Sequence, residues 1–132
     1  MAFKAALGIG LVKLFPPKHH NRAVEVLSDV LNQDADNIAC LMGRGCVLQY
    51  GGQWSEAEAV FSRVGALNPN HDVRLEAREE LAWCIVQSGR LEDGVSELKE
   101  VVQTLDNEEG KEEAKARAWW RLGKSLWESG GV

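Results

Sequence analysis

Two stretches of this chain align with each other. "GGQWSEAEAVF" (51–61) and "SGRLEDGVSEL" (88–98) each read as a helix end at Gly, an aromatic or Leu two residues on, an acidic or Ser start, and a second amphipathic helix. Their Gly52 and Gly89 lie 37 residues apart. Upstream, "HHNRAVEVLSDVLNQDADN" (19–37) repeats the second helix, with Ala23 and Leu27 each 34 residues before Ala57 and Phe61. Downstream, "WWRLGKSLWESGG" (119–131) repeats the first helix. A period of this length leaves the chain few folds, because a two-helix unit cannot bury its apolar face alone and must stack on its neighbours.

The repeat and the breaks between periodic segments predict an all-α chain of seven helices, at about 3–14, 19–32, 37–50, 54–67, 73–88, 91–105 and 111–129. No strand pattern competes. Pro16-Pro17 cannot continue the first helix, Gly51-Gly52 and Gly89 suit helix C-termini, and Asn68-Pro69-Asn70 ends the fourth. Ser55 followed by Glu58 has the spacing of a capping box. "DNEEGKEEA" (106–114) reads as a solvated loop or a frayed helix start. At 132 residues, with 45% hydrophobic and 27% charged positions, the whole chain 1–132 is expected to be a single domain with one modest core.

Charge excludes some functions. A net charge of −5, with basic residues scattered among acids, argues against direct contact with nucleic acid. No run is long and apolar enough for a membrane span, and Lys4 and Lys13 interrupt "MAFKAALGIGLVKLF" at helix spacing, so it suits an amphipathic helix better than a signal peptide. Cys40, Cys46 and Cys84 form an odd set without a C-x-x-C pair, which points to buried thiols in a reducing compartment, the cytoplasm or the nucleus, rather than disulfides or zinc. His19 and His20 precede a helix and His71 lies in a turn, without a nucleophile or carboxylate dyad at motif spacing. "GIG" and "GRG" sit inside amphipathic helices, outside the strand-turn-helix setting of a phosphate loop, and read as close-packing positions. Neither catalysis nor a cofactor nor a metal is expected.

Near the C-terminus, Trp119, Leu122, Gly123 and Leu126 form one stripe of a helix at about 100° per residue. That stripe is expected to be core, as is Trp54, with Gly123 or Ala82 admitting a close partner helix. Trp120 and Trp127, seven residues apart, share a second stripe.

These positions resemble the tetratricopeptide repeat family, with its W-x₂-L-G-x₂-Y, then A-x₃-F, then P in each 34-residue unit. Trp119, Leu122, Gly123 and Leu126 match the first-helix motif, while Ala57, Phe61 and Pro69 match the second. Leu41, Gly45 and Leu48 repeat the first-helix positions, with Arg44 in place of Leu; Leu81, Ala82, Ile85, Gly94 and Leu98 carry the third unit, with Asp106 in place of Pro. The resemblance covers nearly the whole chain. It implies an antiparallel helix-pair solenoid of about three and a half repeats, near 3–36, 37–70, 72–106 and 111–132, the last lacking its second helix, as in a fragment of a longer array.

The resemblance also implies a concave groove lined by first helices. Its candidate partner-binding residues are Met42, Cys46 and Tyr50, then Trp83 and Gln87, then Arg117, Trp120, Lys124 and Trp127; Gln49, Glu76, Glu79, Val86 and Glu128 accompany them. The same tryptophans equally suit packing between adjacent repeats, since first helices of neighbouring units touch. Two kinds of function fit. One is a stand-alone peptide-binding adaptor or co-chaperone; its carboxylate-clamp form would need cations on the first helices, where Met42, Cys46, Glu76 and Glu80 stand and only Arg117 and Arg121 could serve. The second kind is a non-catalytic scaffold. "LEAREELAWCIVQSGRLEDGVSELKEVV" (75–102) and "EEGKEEAKARAWWRLGKSLWESGG" (108–131) resemble family members that organise helicase and β-propeller subunits and feed RNA to the cytoplasmic exosome for 3′-to-5′ decay. That resemblance implies protein partners alone, namely those subunits and an exosome adaptor. The incomplete last repeat adds a surface for self-association.

Overall fold

A computed structural model describes residues 20–128, and its elements are all helices. They are α1 (His20–Gln33), α2 (Ile38–Tyr50), α3 (Trp54–Ala66), α4 (His71–Gln87), α5 (Leu91–Asp106) and α6 (Glu112–Glu128). The helix expected at 3–14 lies outside the described residues. The other six stand within two residues of their expected bounds, and no strand occurs among the described residues. The chain divides into two compact units that part between Pro69 and Asn70, and each is described by itself.

In the first unit, Asn37 caps α2 by accepting the Cys40 amide at 3.0 Å. Gly52 reverses the chain after α2 at φ +74°, a left-handed conformation that a Cβ disfavours, and the short 51–53 connection lays α3 back along α2. Gly45 is the contact point of that pair. A Cβ there would fall onto Cζ of the Phe61 ring and within 2.7 Å of its Cε1, so the missing side chain is what lets the ring seat. Leu27 and Val30 of α1 close on Cys40 of α2, flanked by Leu31, Cys46 and Val47. The capping box expected at Ser55 and Glu58 does not form. The N-cap is Gln53, which makes no side-chain cap bond, so Ser55 lies inside the first turn and is past the position from which it could cap.

The second unit repeats the scheme. Asn70 accepts the Val73 amide at 3.0 Å and so starts α4, which places His71 in the helix rather than in a turn. Gly89, at φ +97°, turns the chain into α5. Along α5, Gly94, Leu98, Val101, Val102 and Leu105 are buried at helical spacing and form the stripe that packs on α4. Gly94 is the closest approach: a Cβ would collide with Val86 Cγ2 and come within 2.9 Å of the Val86 amide nitrogen and 3.0 Å of the Ala82 carbonyl. Arg78 reaches across to Glu97 at 3.1 Å and also pairs with Glu100. On α6 the buried line is Ala118, Leu122 and Ser125, facing the α4–α5 pair.

That line corrects the expected stripe. Trp119 is 51% exposed and donates its indole N–H to Asp106 Oδ1 at 3.1 Å, and Gly123 has open space where a Cβ would stand. Helix α6 is therefore rotated so that Leu122 remains core and Leu126 half-buried, while Trp119 and Gly123 move off it. Trp54 is half-buried rather than fully core.

The two glycines give opposite expectations. Gly94→Ala should destabilise by about 2 kcal/mol, because Cβ meets backbone that cannot yield and the overlap outweighs the gain in helix propensity. Gly123→Ala should instead add about 0.5–1 kcal/mol. Urea denaturation of both variants checks the difference, with equal midpoints counting against the close approach at Gly94.

Candidate protein-interaction site

Neighbouring first helices in the second unit carry opposite charges one repeat apart. Positions 117, 121 and 124 follow each other at helical spacing, so α6 presents Arg117, Arg121 and Lys124 on one side. Helix α4 presents Glu79, Glu80 and Trp83 to them. Arg117 grips Glu79 as a fork, with Nε donating to Oε2 at 2.8 Å and Nη2 to Oε1 at 3.2 Å. Arg121 Nη1 bridges Glu79 Oε2 and Glu80 Oε1, each at 2.6 Å. Glu79 is only 1% exposed, so its charge is tolerable because two guanidiniums satisfy it. Burial alone would lower the Arg117 pKa; the hydrogen bond that Arg117 donates to Glu79, with the charges of Glu79, Glu80 and Glu76, overcomes this and raises it.

Aromatic rings continue the face. Trp83 is 9% exposed and meets Trp120 with ring centroids 6.0 Å apart at 47°. The Arg121 guanidinium lies 5.3 Å from the Trp83 centroid, and Lys124 Nζ lies 5.2 Å from that of Trp120. Trp120 remains 59% exposed and Trp127 74% exposed. Trp83 is thus a packing residue between α4 and α6, Trp120 leans on it with one edge, and Trp127 stands outward.

A second cluster fixes the loop before α6. Lys111 Nζ donates to Asp72 Oδ1 at 2.6 Å and pairs with Glu108, which also meets His71, while Lys115 donates to the Glu108 carbonyl at 2.6 Å. Hydrogen bonds from Lys111, then from His71, hold the Glu108 carboxyl below the usual carboxylate range; hydrogen bonds to Asp72 and then Glu108 hold the Lys111 ammonium above its ordinary value. Donor atoms of His71, Asp72 and Glu108 gather within 4.8 Å, as a metal site would require, but the Lys111 ammonium takes the place of a cation among them. The cluster ties the start of α4 to the α5–α6 connection, so the polar 106–114 stretch is an anchored turn rather than a loose one.

Of the residues expected to line a groove, the structure brings together Trp83, Arg117, Trp120 and Lys124. Gln87 lies half-buried further along α4. Met42 and Cys46 are half-buried on α2 in the first unit, Cys46 against the Leu27–Val30 core, and Tyr50 is exposed at its end. The two arginines available to a carboxylate clamp are engaged by Glu79 and Glu80, which removes the cations such a clamp needs. Composition and motif matching passed over Arg121 and Glu80 as a structural pair; the legible signal was complementary charge 41 residues apart on successive first helices.

A relative has the same kind of sequence. Superkiller protein 3 of Saccharomyces cerevisiae (strain ATCC 204508 / S288c) is 28% identical over 89 residues. This chain is similar to Superkiller protein 3. The matched stretch is 67% of this chain but 6% of the yeast protein, so the chain spans a small fraction of that relative's length. No protein-family model matches the chain. The helix pairs of both units fit a fragment of a tetratricopeptide-type array, the form that the repeat motifs imply.

Proposed function

We propose that this chain is a segment of a non-catalytic protein-interaction scaffold, part of a superkiller complex that assists exosome-mediated 3′-to-5′ mRNA decay in the cytoplasm. The observation carrying this reading is the similarity to Superkiller protein 3 across most of the chain. In it, residues 1–132 are one stretch of a longer helix-pair solenoid, and the partners are helicase and β-propeller subunits and an exosome adaptor. The outward tryptophans supply a surface suited to such partners. Trp120 and Trp127 offer large, stiff, half-apolar anchors at little cost in conformational entropy, the type of side chain that dominates binding hot spots. Met42, Cys46 and Tyr50 of α2, and Gln87 beside Trp83 on α4, extend the candidate surface.

Affinity capture from a fungal cytoplasmic extract tests this, using the chain and its Trp120→Ala/Trp127→Ala variant, with mass spectrometry of what is retained. Helicase and exosome components should be recovered with the chain and lost with the double variant. Both tryptophans are largely exposed, so the variant should keep its stability within about 1 kcal/mol. Recovery of chaperones instead would overturn the scaffold reading in favour of an adaptor.

A further inference from the structure

The N-terminal halves of α4 and α6 enclose a groove of about 450 Å³, separate from the tryptophans. Its floor is apolar, made by Leu75, Leu105 and Ala114. Its walls are acidic. Asp72 and Glu76 rise from α4, Glu112 and Glu113 from α6, and Glu79 lies at the base. The two cations that line it are engaged within the unit: Lys111 by Asp72 and Glu108, Arg117 by the Glu79 fork. Glu112 and Glu113 have a local reason to be there, since they oppose the positive end of the α6 dipole. Glu76 sits beyond the first turn of α4, half-buried at the groove wall, where no helix terminus calls for a carboxylate; Arg117 feels its charge but gives its hydrogen bonds to Glu79. An apolar floor between acidic walls repels an acidic tail or a phosphate backbone and attracts a cation that carries an aliphatic group.

We propose that this groove docks a basic segment of a protein partner, with an aliphatic side chain on Leu75 and Leu105 and flanking Lys or Arg side chains against Glu76 and Glu113. The inference rests on the scaffold reading and adds the chemistry of one partner segment. The long stems of Lys and Arg also cover Ala114 of the floor, which gives such a segment more contact than charge alone provides.

Fluorescence anisotropy with the purified chain tests it. The probes are a fluorescein-labelled Lys-Arg-Leu-Lys-Arg peptide and its counterpart with Glu at every basic position. The basic peptide should bind and the acidic one should not. Glu76→Gln/Glu113→Gln should weaken the basic peptide about tenfold. Glu92→Gln/Asp93→Asn, an equal change of charge on the exposed start of α5, should change it by less than about twofold. Ala114→Lys, which places a cation in the groove without removing an acid, should abolish binding, and far-UV circular dichroism checks that each variant is folded. Equal weakening by the two neutralised pairs would reduce the effect to general attraction by an acidic chain and overturn the proposal, as would no binding at all. Capture of helicase and exosome components alongside a failed peptide titration would remove this inference and leave the scaffold reading standing.

Discussion

Arg121→Ala is expected to lower the stability of the second unit by about 3 kcal/mol, a loss read as a fall in the urea midpoint with little change in slope. Arg121 is mostly buried between α4 and α6 and serves two carboxylates at once, each at 2.6 Å, while covering the face of Trp83. Removing it leaves Glu79, which has almost no access to water, to Arg117 alone of the two arginines that grip it, and takes from Glu80 its pairing with Arg121. The cost comes chiefly from leaving buried charge less fully compensated rather than from the Coulomb energy of the pair. Arg121→Lys should recover only part of it, since one ammonium cannot reproduce the flat guanidinium that bridges both acids and stacks on the indole. Near-ultraviolet circular dichroism supplies a local readout, because Arg121 lies over the Trp83 ring that meets Trp120. An alanine variant as stable as the parent would mean that Glu79 is not buried as described. By contrast, Arg63 and Asp36 in the first unit meet at 2.6 Å with both side chains more than half exposed, and their separation should be barely measurable.

Phe61→Ala should cost the first unit about 4 kcal/mol. The ring is 1% exposed and lies directly on Gly45, so its removal opens a cavity against a residue with no side chain to move into it. The close approach predicts a sign as well as a size. Gly45→Ala should destabilise the parent by about 2 kcal/mol, since its Cβ overlaps the ring, but should be harmless or stabilising in the Phe61→Ala background, where that Cβ has room. Thermal denaturation of the four proteins measures the coupling. Additivity within about 0.5 kcal/mol would contradict the contact.

Both contacts show which kinds of information were legible in the chain. Gly45 and Phe61 occupy motif positions, and their meeting follows from a helix pair joined by a short turn. Gly94 and Ala82 likewise stand where the repeat expects small residues, and a Cβ on Gly94 would come within 3.0 Å of the Ala82 carbonyl oxygen. Ser55 and Glu58 match a capping pattern just as well, yet the helix begins one residue before Ser55, so the pattern has no amide to serve. A capping box is a statement about one position, and a shift of a single residue defeats it.

Trp119 failed as a core residue for a different reason. The motif specifies a stripe on α6 but not the azimuth at which α6 docks. That azimuth is set by Arg117 and Arg121 seeking Glu79 and Glu80, together with Ala118 and Leu122 seeking the α4–α5 pair. The docked helix carries Trp119 to the rim, where it is half-exposed and donates its indole N–H to Asp106.

The sequence by itself determined the helices, their order and the turns between them, because periodic apolar positions, Gly at left-handed turns and Asn at helix starts act over a few residues. Only the tertiary structure decided which tryptophans are packed and which stand outward, and that Arg117 and Arg121 pair with buried glutamates. Those outcomes depend on the rotation of one helix against another tens of residues away, and on the cost of burying a charge that no local pattern records.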